Sequence, residues 1–218
     1  MTITIDGTTG IASVDGSAGS PSVRGSDANS GILYAADAIK FSTGGVQRAV
    51  IDNNGLSAAG HVIQVVYAKL DTAFLSTTTD GVDTGLSATI NVQDASNKLF
   101  IICSALWASE GNWAYMYLSD GSNNVIEQPG ASGSRGRFHW GPEYNGDASS
   151  NFHYHSSRDT FHCVTTPGST GNYTVKLRAN NNSSVSNRCV HLNRNVNNDD
   201  RYYDPIGIST LTAMEVAA

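Results

Sequence analysis

The sequence predicts an all-β protein: an antiparallel β-sandwich or jelly-roll head over residues 61–218, preceded by an extended β-rich segment over 1–60. Three observations predict it. Gly, Ser, Asn, Asp and Thr are abundant while Glu, Lys and Leu are scarce, a bias away from helix and toward short strands joined by tight turns. No long window carries apolar residues at the i, i+3, i+4, i+7 spacing of an amphipathic helix. Beyond Gly60, strand-sized runs follow one another with turn residues between them, the rhythm of a sandwich.

The segment from Ser20 reads SPSVRGSDANSGILYAADAIKFSTGGVQRAVIDNNGLSAAG. Short apolar pieces (Ile32–Tyr34, Ile39–Phe41, Val46, Ala49–Ile51) stand between Gly, Ser, Asp and Asn. Ordering a chain costs about 1–2 kcal/mol per residue, more than such a segment recovers by burying itself. It is expected to be disordered, or ordered on copies of itself or on a larger body.

After Gly60 the strands become denser. His61–Leu70 is the first. Thr84–Val92 places Leu86, Ala88, Ile90 and Val92 on one face, the period of a half-buried strand. Lys98–Trp107 (KLFIICSALW) is a near-continuous apolar run and is expected to be the central core strand. Trp113–Leu118 follows, then the turn at Asp120-Gly121 and a short strand at Val125–Glu127. Residues 129–150, rich in Gly, Ser and Pro, read as loops. Phe152–His155 and Thr160–Val164 read as a hairpin around Ser156–Asp159, and Tyr173–Leu177, Arg188–Leu192 and Gly207–Val216 complete the set. The head is long enough to enclose its own core.

Charged residues make up 15% of the chain and the net charge is −6. Neither a nucleic-acid partner nor an anionic lipid surface is expected, because both require a basic face. No apolar run approaches the ~20 residues of a membrane span, so no membrane insertion is expected. MTITIDGTTG lacks the basic and apolar regions of a signal peptide. Cys103, Cys163 and Cys189 form no CxxC pair and read as reduced thiols of a cytosolically made protein, with a Cys163–Cys189 disulfide as the alternative.

Several groups are candidates for chemistry. His153 and His155 form H-x-H, which on a strand points both rings to one face. Near a threefold axis they would assemble six imidazoles, a set suited to an octahedral transition metal; otherwise they face solvent, with Phe152 and Tyr154 in the core. His139, His162 and His191 lie elsewhere in the head. The loop Asn195–Asp204 offers Asp199, Asp200 and Asp204 as oxygen ligands for Ca²⁺, without EF-hand spacing, and otherwise reads as a solvated loop. Trp113, Tyr115 and Tyr117 share a strand face and read as core or subunit interface. Trp140 and Tyr144 (HWGPEYNG), with Tyr202 and Tyr203, fall in loops, where recognition usually resides, and are the candidate receptor contacts. No enzyme is expected: G-x-S-x-G, HExxH and P-loop motifs are absent. A glycosidase needs two carboxylates about 5–9.5 Å apart, and Glu143 with Asp147 or Asp159 is the loop pairing that could supply them.

Two stretches carry a resemblance. SPSVRGSDANSGILYAADAIKFSTGG, with Asp27, Asn29 and Gly31 before an aromatic, and the following VQRAVIDNNG resemble short segments in tail fibres and related virion appendages of tailed bacteriophages. LSTTTDGVDTGLSATINVQDASNKLFII and the closing STLTAMEV resemble the globular heads that follow such segments. The resemblance implies an intertwined three-chain stalk, a trimeric jelly-roll head and a place in a virion, with synthesis in the host cytoplasm. The implied partners are further copies of the chain in a homotrimer, capsid or tail proteins through residues 1–60, and a host-surface glycan or protein through the head. Some phage fibre tips resemble the H-x-H metal arrangement; no other cofactor is implied. A capsid decoration or head fibre without receptor binding, and a carbohydrate-active tailspike enzyme, are the alternatives. The matching motifs are structural punctuation and none is catalytic.

Overall fold

The computed structural model describes residues 4–6, 10–12, 15–109, 114–133, 137–141, 156–181, 190–196 and 206–218. Every regular element among them is a β-strand. Contacts divide the chain into two units, Met1–Ile63 with Val216–Ala218, and Gln64–Glu215.

In the first unit, β1 (Thr4–Asp6) pairs with β2 (Gly10–Ala12), and β3 (Gly16–Ser17) with β4 (Ser20–Pro21). The main feature is a five-stranded antiparallel meander of β5 (Val23–Arg24), β6 (Gly31–Ala35), β7 (Ala38–Thr43), β8 (Val46–Asp52) and β9 (Gly55–Ala58), paired in chain order. Its turn residues explain it. Gly44 and Gly45 join β7 to β8 with φ of 59° and 76°, the left-handed backbone that a two-residue hairpin turn needs and glycine adopts freely. Asp37, at φ 54°, turns β6 into β7, and aspartate tolerates that region better than most residues. The Asp52 carboxylate accepts the Asn54 N–H at 2.8 Å and closes the turn from β8 to β9.

Each strand thus pairs with its neighbour in sequence. The backbone ladder of residues 23–58 is therefore closed within one chain, while one apolar face of the meander stays exposed.

The head strands are β10 (Val62–Leu70), β11 (Phe74–Ser76), β12 (Val82–Val92), β13 (Lys98–Ser109), β14 (Ala114–Ser119), β15 (Ser157–Thr165), β16 (Gly171–Asn181), β17 (Val190–Leu192) and β18 (Ser209–Val216). One sheet runs β10-β18-β13-β17-β11, with β15 also paired to β13; a second runs β12-β16-β14. The inward rows of both sheets meet in one core. β12 contributes Leu86, Ala88, Ile90 and Val92, as its alternation predicts, and β13 contributes Leu99, Ile101, Cys103, Ala105 and Trp107. Met116 and Leu118 (β14), Val175 and Leu177 (β16), and Leu211 and Ala213 (β18) fill the rest. Each large side chain so buried stabilises the fold by about 1.5–3 kcal/mol. The protein is all-β, and the head has the packed antiparallel sheets of a β-sandwich or jelly roll.

Several elements differ from expectation. Val125–Glu127 is a turn with a single bridge, Val125 to Ser119, which sets Ile126 into the core. Ser157–Asp159 belongs to β15 and pairs with Ala105–Trp107 of β13, so it is not the tip of a hairpin. Phe74–Ser76 is a strand too short for its periodicity to show. Cys103 and Cys163 are free thiols pushed up to about 12 by burial, so both stay protonated; Cys189 lies outside the described residues.

Candidate functional site

The register of the meander determines which side chains share a face, because directly paired residues point the same way. Tyr34 pairs with Ile39, Ile39 with Ile51, and Ile51 with Leu56. One step along, Val23 pairs with Ile32, Ile32 with Phe41, Phe41 with Ala49, and Ala49 with Ala58. These two rows lie two residues apart on each long strand, hence on the same face. That face is mostly apolar, and the Arg48 guanidinium, at the bulge of β8, is held on it by donating its Nε–H to Thr43 Oγ1 at 2.9 Å. Six of its large side chains, Val23, Tyr34, Ile39, Phe41, Ile51 and Leu56, are 37–49% exposed. The opposite face mixes Leu33, Lys40, Val50 and Ser57 in one row. A soluble sheet usually turns its polar face outward. An exposed apolar patch of this extent marks an interaction surface.

The residues singled out from sequence fall differently. Trp140 is a correction: it is 5% exposed, in the core. It exchanges both backbone hydrogen bonds with Met116, at 3.0 and 3.1 Å, and a residue so paired faces the same way as its partner. Met116 faces the core, so the indole does too, where it meets Phe161 edge-on at 5.5 Å between centroids. Tyr144, Tyr202 and Tyr203 lie outside the described residues, as do His153, His155, Trp113, Glu143, Asp147, Asp199, Asp200 and Asp204. Tyr115 and Tyr117 turn away from the core, which takes Ala114, Met116 and Leu118 from that strand. Tyr115 stacks on Phe138 at 4.2 Å, and Arg178 sits 5.9 Å over the Tyr117 ring. Asp159 accepts the Trp107 indole N–H at 2.5 Å. Among the described residues, no group of three or more His, Cys, Asp or Glu is placed to hold a metal ion.

His139 has a structural task. Its Nδ1 accepts the Leu118 backbone N–H at 3.0 Å, and its ring stacks on Phe161 at 4.1 Å. Burial lowers its pKa below the ordinary histidine range, so the ring stays neutral and keeps that acceptor.

The polar residue that sequence reasoning passed over is Glu215, which is fully buried. In STLTAMEV it occupies the inward row of β18 after Leu211 and Ala213, where an apolar side chain is expected. One carboxylate oxygen accepts the N–H groups of Gln93 (2.8 Å) and Asp94 (3.3 Å) and the Asn97 amide (2.7 Å). The other accepts the Gln64 amide at 2.5 Å. Burial pushes the carboxyl pKa up, but these hydrogen bonds together push it further down, so the net shift is downward. Glu215 therefore ties the β12–β13 turn and strand β10 to the last strand. The signal was a lone Glu at an inward position of an alternating strand.

Neither a family model nor a curated protein sequence matches the chain. Among solved structures it is similar to the VP2 subviral particle of infectious bursal disease virus, at 9% identity over 83% of this chain and 47% of that one, with a TM-score of 0.34. It is likewise similar to the T=1 particles derived from infectious bursal virus (10% identity, 94% and 54%, TM-score 0.35). A third match is the structure of the Gt strain of infectious bursal disease virus (10% identity, 90% and 52%, TM-score 0.36). The chain spans about half the length of each of these structures.

Proposed function

We propose that the chain is a structural virion protein, a homotrimeric fibre or spike on a bacteriophage particle. Residues 1–60 attach it to capsid or tail and form a short stalk. The head projects outward and contributes to contact with the host surface, where three equivalent weak sites gain by multivalency. One observation carries this reading: the exposed apolar row of the N-terminal meander, in which Tyr34, Ile39, Ile51 and Leu56 stand side by side at 41–48% exposure. A chain that worked alone would gain by making that face polar. Assembly covers it. The resemblance of the same residues to phage appendage segments supplies the setting.

The burial of Trp140 favours a second reading, a capsid decoration or head fibre that recognises no receptor. It removes the indole from the aromatic set that the receptor reading relies on. A tailspike hydrolase has less support, since Asp159 is engaged by the Trp107 indole.

Two measurements separate these readings. Labelled protein imaged on the particle is expected at the tail or on a capsid vertex; its absence from the particle overturns the virion reading. Purified protein is expected to compete with phage adsorption if the head meets the host, and failure to compete favours decoration.

A further inference from the structure

The two head sheets treat their outer faces differently. The outward residues of β12 and β16 are polar and include Ser87, Thr89, Asn91, Thr174 and Lys176, as expected of a face in water, with Tyr115 and Tyr117 added at the β14 edge. The larger sheet does the opposite. The inward row of β13 lies in the core, yet its outward row is also mostly apolar: Phe100, Ile102 and Leu106, broken by Ser104. Register places Val164 beside Phe100 and His162 beside Ile102 on β15. On β10, Val66, Ala68 and Leu70 pack on the core, so Val65 and Tyr67 point outward, at 56% and 62% exposure.

A near-continuous apolar strand such as KLFIICSALW is the signature of burial on both faces. One copy of this chain buries one face and covers the other only in part: Phe100, Ile102 and Leu106 are half-buried, while Val164 beside them is 44% exposed. We infer that the outward face of β10, β18, β13 and β15 is where the heads of two copies pack together. This inference rests on the proposed assembly of the chain and assigns the surface that joins the heads.

A second copy is the occupant for three reasons. Four strands about 4.8 Å apart and about nine residues long make a flat area of roughly 500 Å². That is the scale of a protein interface, about 800 Å² per partner with its rim, and too flat and broad for a small ligand. The charges on these outward rows stand at strand ends and are engaged within the chain: Lys69 pairs with Asp71 at 2.7 Å, and Lys98 donates to Thr166 Oγ1 at 2.6 Å. Arg158, at one end, is turned onto the Ile208 carbonyl at 3.0 Å. A closed threefold assembly repeats one contact around its axis, with the same sheet of each copy turned toward that axis.

The test uses the full chain with lysines at exposed positions that leave the core intact. Tyr67→Lys with Val164→Lys alters the head face, Ile39→Lys with Ile51→Lys the meander face, and Thr89→Lys the polar sheet as control. Mass is followed by analytical ultracentrifugation over a dilution series, and folding by circular dichroism. The wild type is expected to be oligomeric, with the Tyr67/Val164 variant weakening self-association at least roughly 100-fold, as loss of an interface core does, and Thr89→Lys leaving it unchanged. A wild-type monomer overturns the assembly reading itself. An oligomer that survives Tyr67→Lys with Val164→Lys overturns this inference and leaves that reading standing. Should the double variant misfold, iodination of Tyr67 in the wild type decides: protection at high concentration lost on dilution supports the interface, and equal reactivity at both overturns it.

Discussion

Glu215 shows how a single polar residue can hold the end of a sandwich. Its carboxylate satisfies four donors from three places: the β12–β13 turn, Asn97 before β13, and Gln64 on β10. Replacing it with Leu restores the apolar row but removes the shared acceptor of the buried Asn97 amide and of three partly buried donors, and losing the partner of a buried polar group costs about 1–3 kcal/mol. Glu215→Leu is therefore expected to destabilise the chain by about 3 kcal/mol or more. Glu215→Gln, which keeps one acceptor for the turn and can be met by a flipped Gln64 amide, is expected to cost about half as much. Thermal unfolding of the two variants checks the order; a Leu variant as stable as the wild type would show that the turn is held by other means.

Two residues also make stability depend on pH, in separate windows. A group whose pKa is lower folded than unfolded contributes stability above its unfolded value and loses it as pH falls toward the folded one. For His139, lowered by burial, the loss begins as pH drops below about 6.5. For Glu215, whose hydrogen bonds outweigh its burial, it begins below about 4.3. His139→Asn keeps an acceptor near the Nδ1 position and cannot titrate, so it is expected to flatten the upper window and leave the lower one. Unfolding midpoints in denaturant from pH 7.5 to 3.5 measure both; an upper window unchanged in the variant would assign it to another group.

At the scale of elements, the strands with strict alternation were legible. Thr84–Val92 turns the expected row inward because one face meets water and the other meets the core, and the closing strand runs over Ser209–Val216, within the expected Gly207–Val216. What failed was the reading of segments whose partners lie far away in sequence. Trp140 sits among glycines, serines and prolines, so it reads as a loop residue; its backbone pairing with Met116, which aims the indole inward, leaves no local trace. Asp159 likewise reads as a turn residue until β13 is known to lie beside it. The N-terminal meander was legible in its turns, because hairpins closed by two-residue turns carry their Gly, Asp and Asn in the local sequence. Gly45 carries that point. Its φ of 76° excludes branched side chains, while a Cβ there would meet only Gly19 Cα at 3.8 Å and Asn29 Cβ at 4.0 Å. Gly45→Val is thus a pure backbone perturbation of about 1–2 kcal/mol. It is expected to raise protease cleavage within residues 15–60 while leaving the head's unfolding transition in place; unchanged cleavage would mean the turn does not govern the meander.

At the scale of the molecule, the two units differ in how they bury apolar surface. The head encloses an extensive core, drawn from Leu86 through Ala213. The meander leaves a whole face open. A unit with its own core is expected to fold alone, so residues 61–218 should give a cooperative thermal transition, with Glu215 still bonded to Gln64 and to the β12–β13 turn. The same truncation removes the apolar face assigned to attachment. The expected product is a stable head that no longer enters particles, and the full-length Ile39→Lys/Ile51→Lys variant should share that defect while keeping its fold. Complementation of a deletion phage by each of the two proteins, read as the protein content of purified particles, checks this. A truncated head that still incorporates would place attachment within residues 61–218, and would leave the open face of the meander to pack against copies of itself.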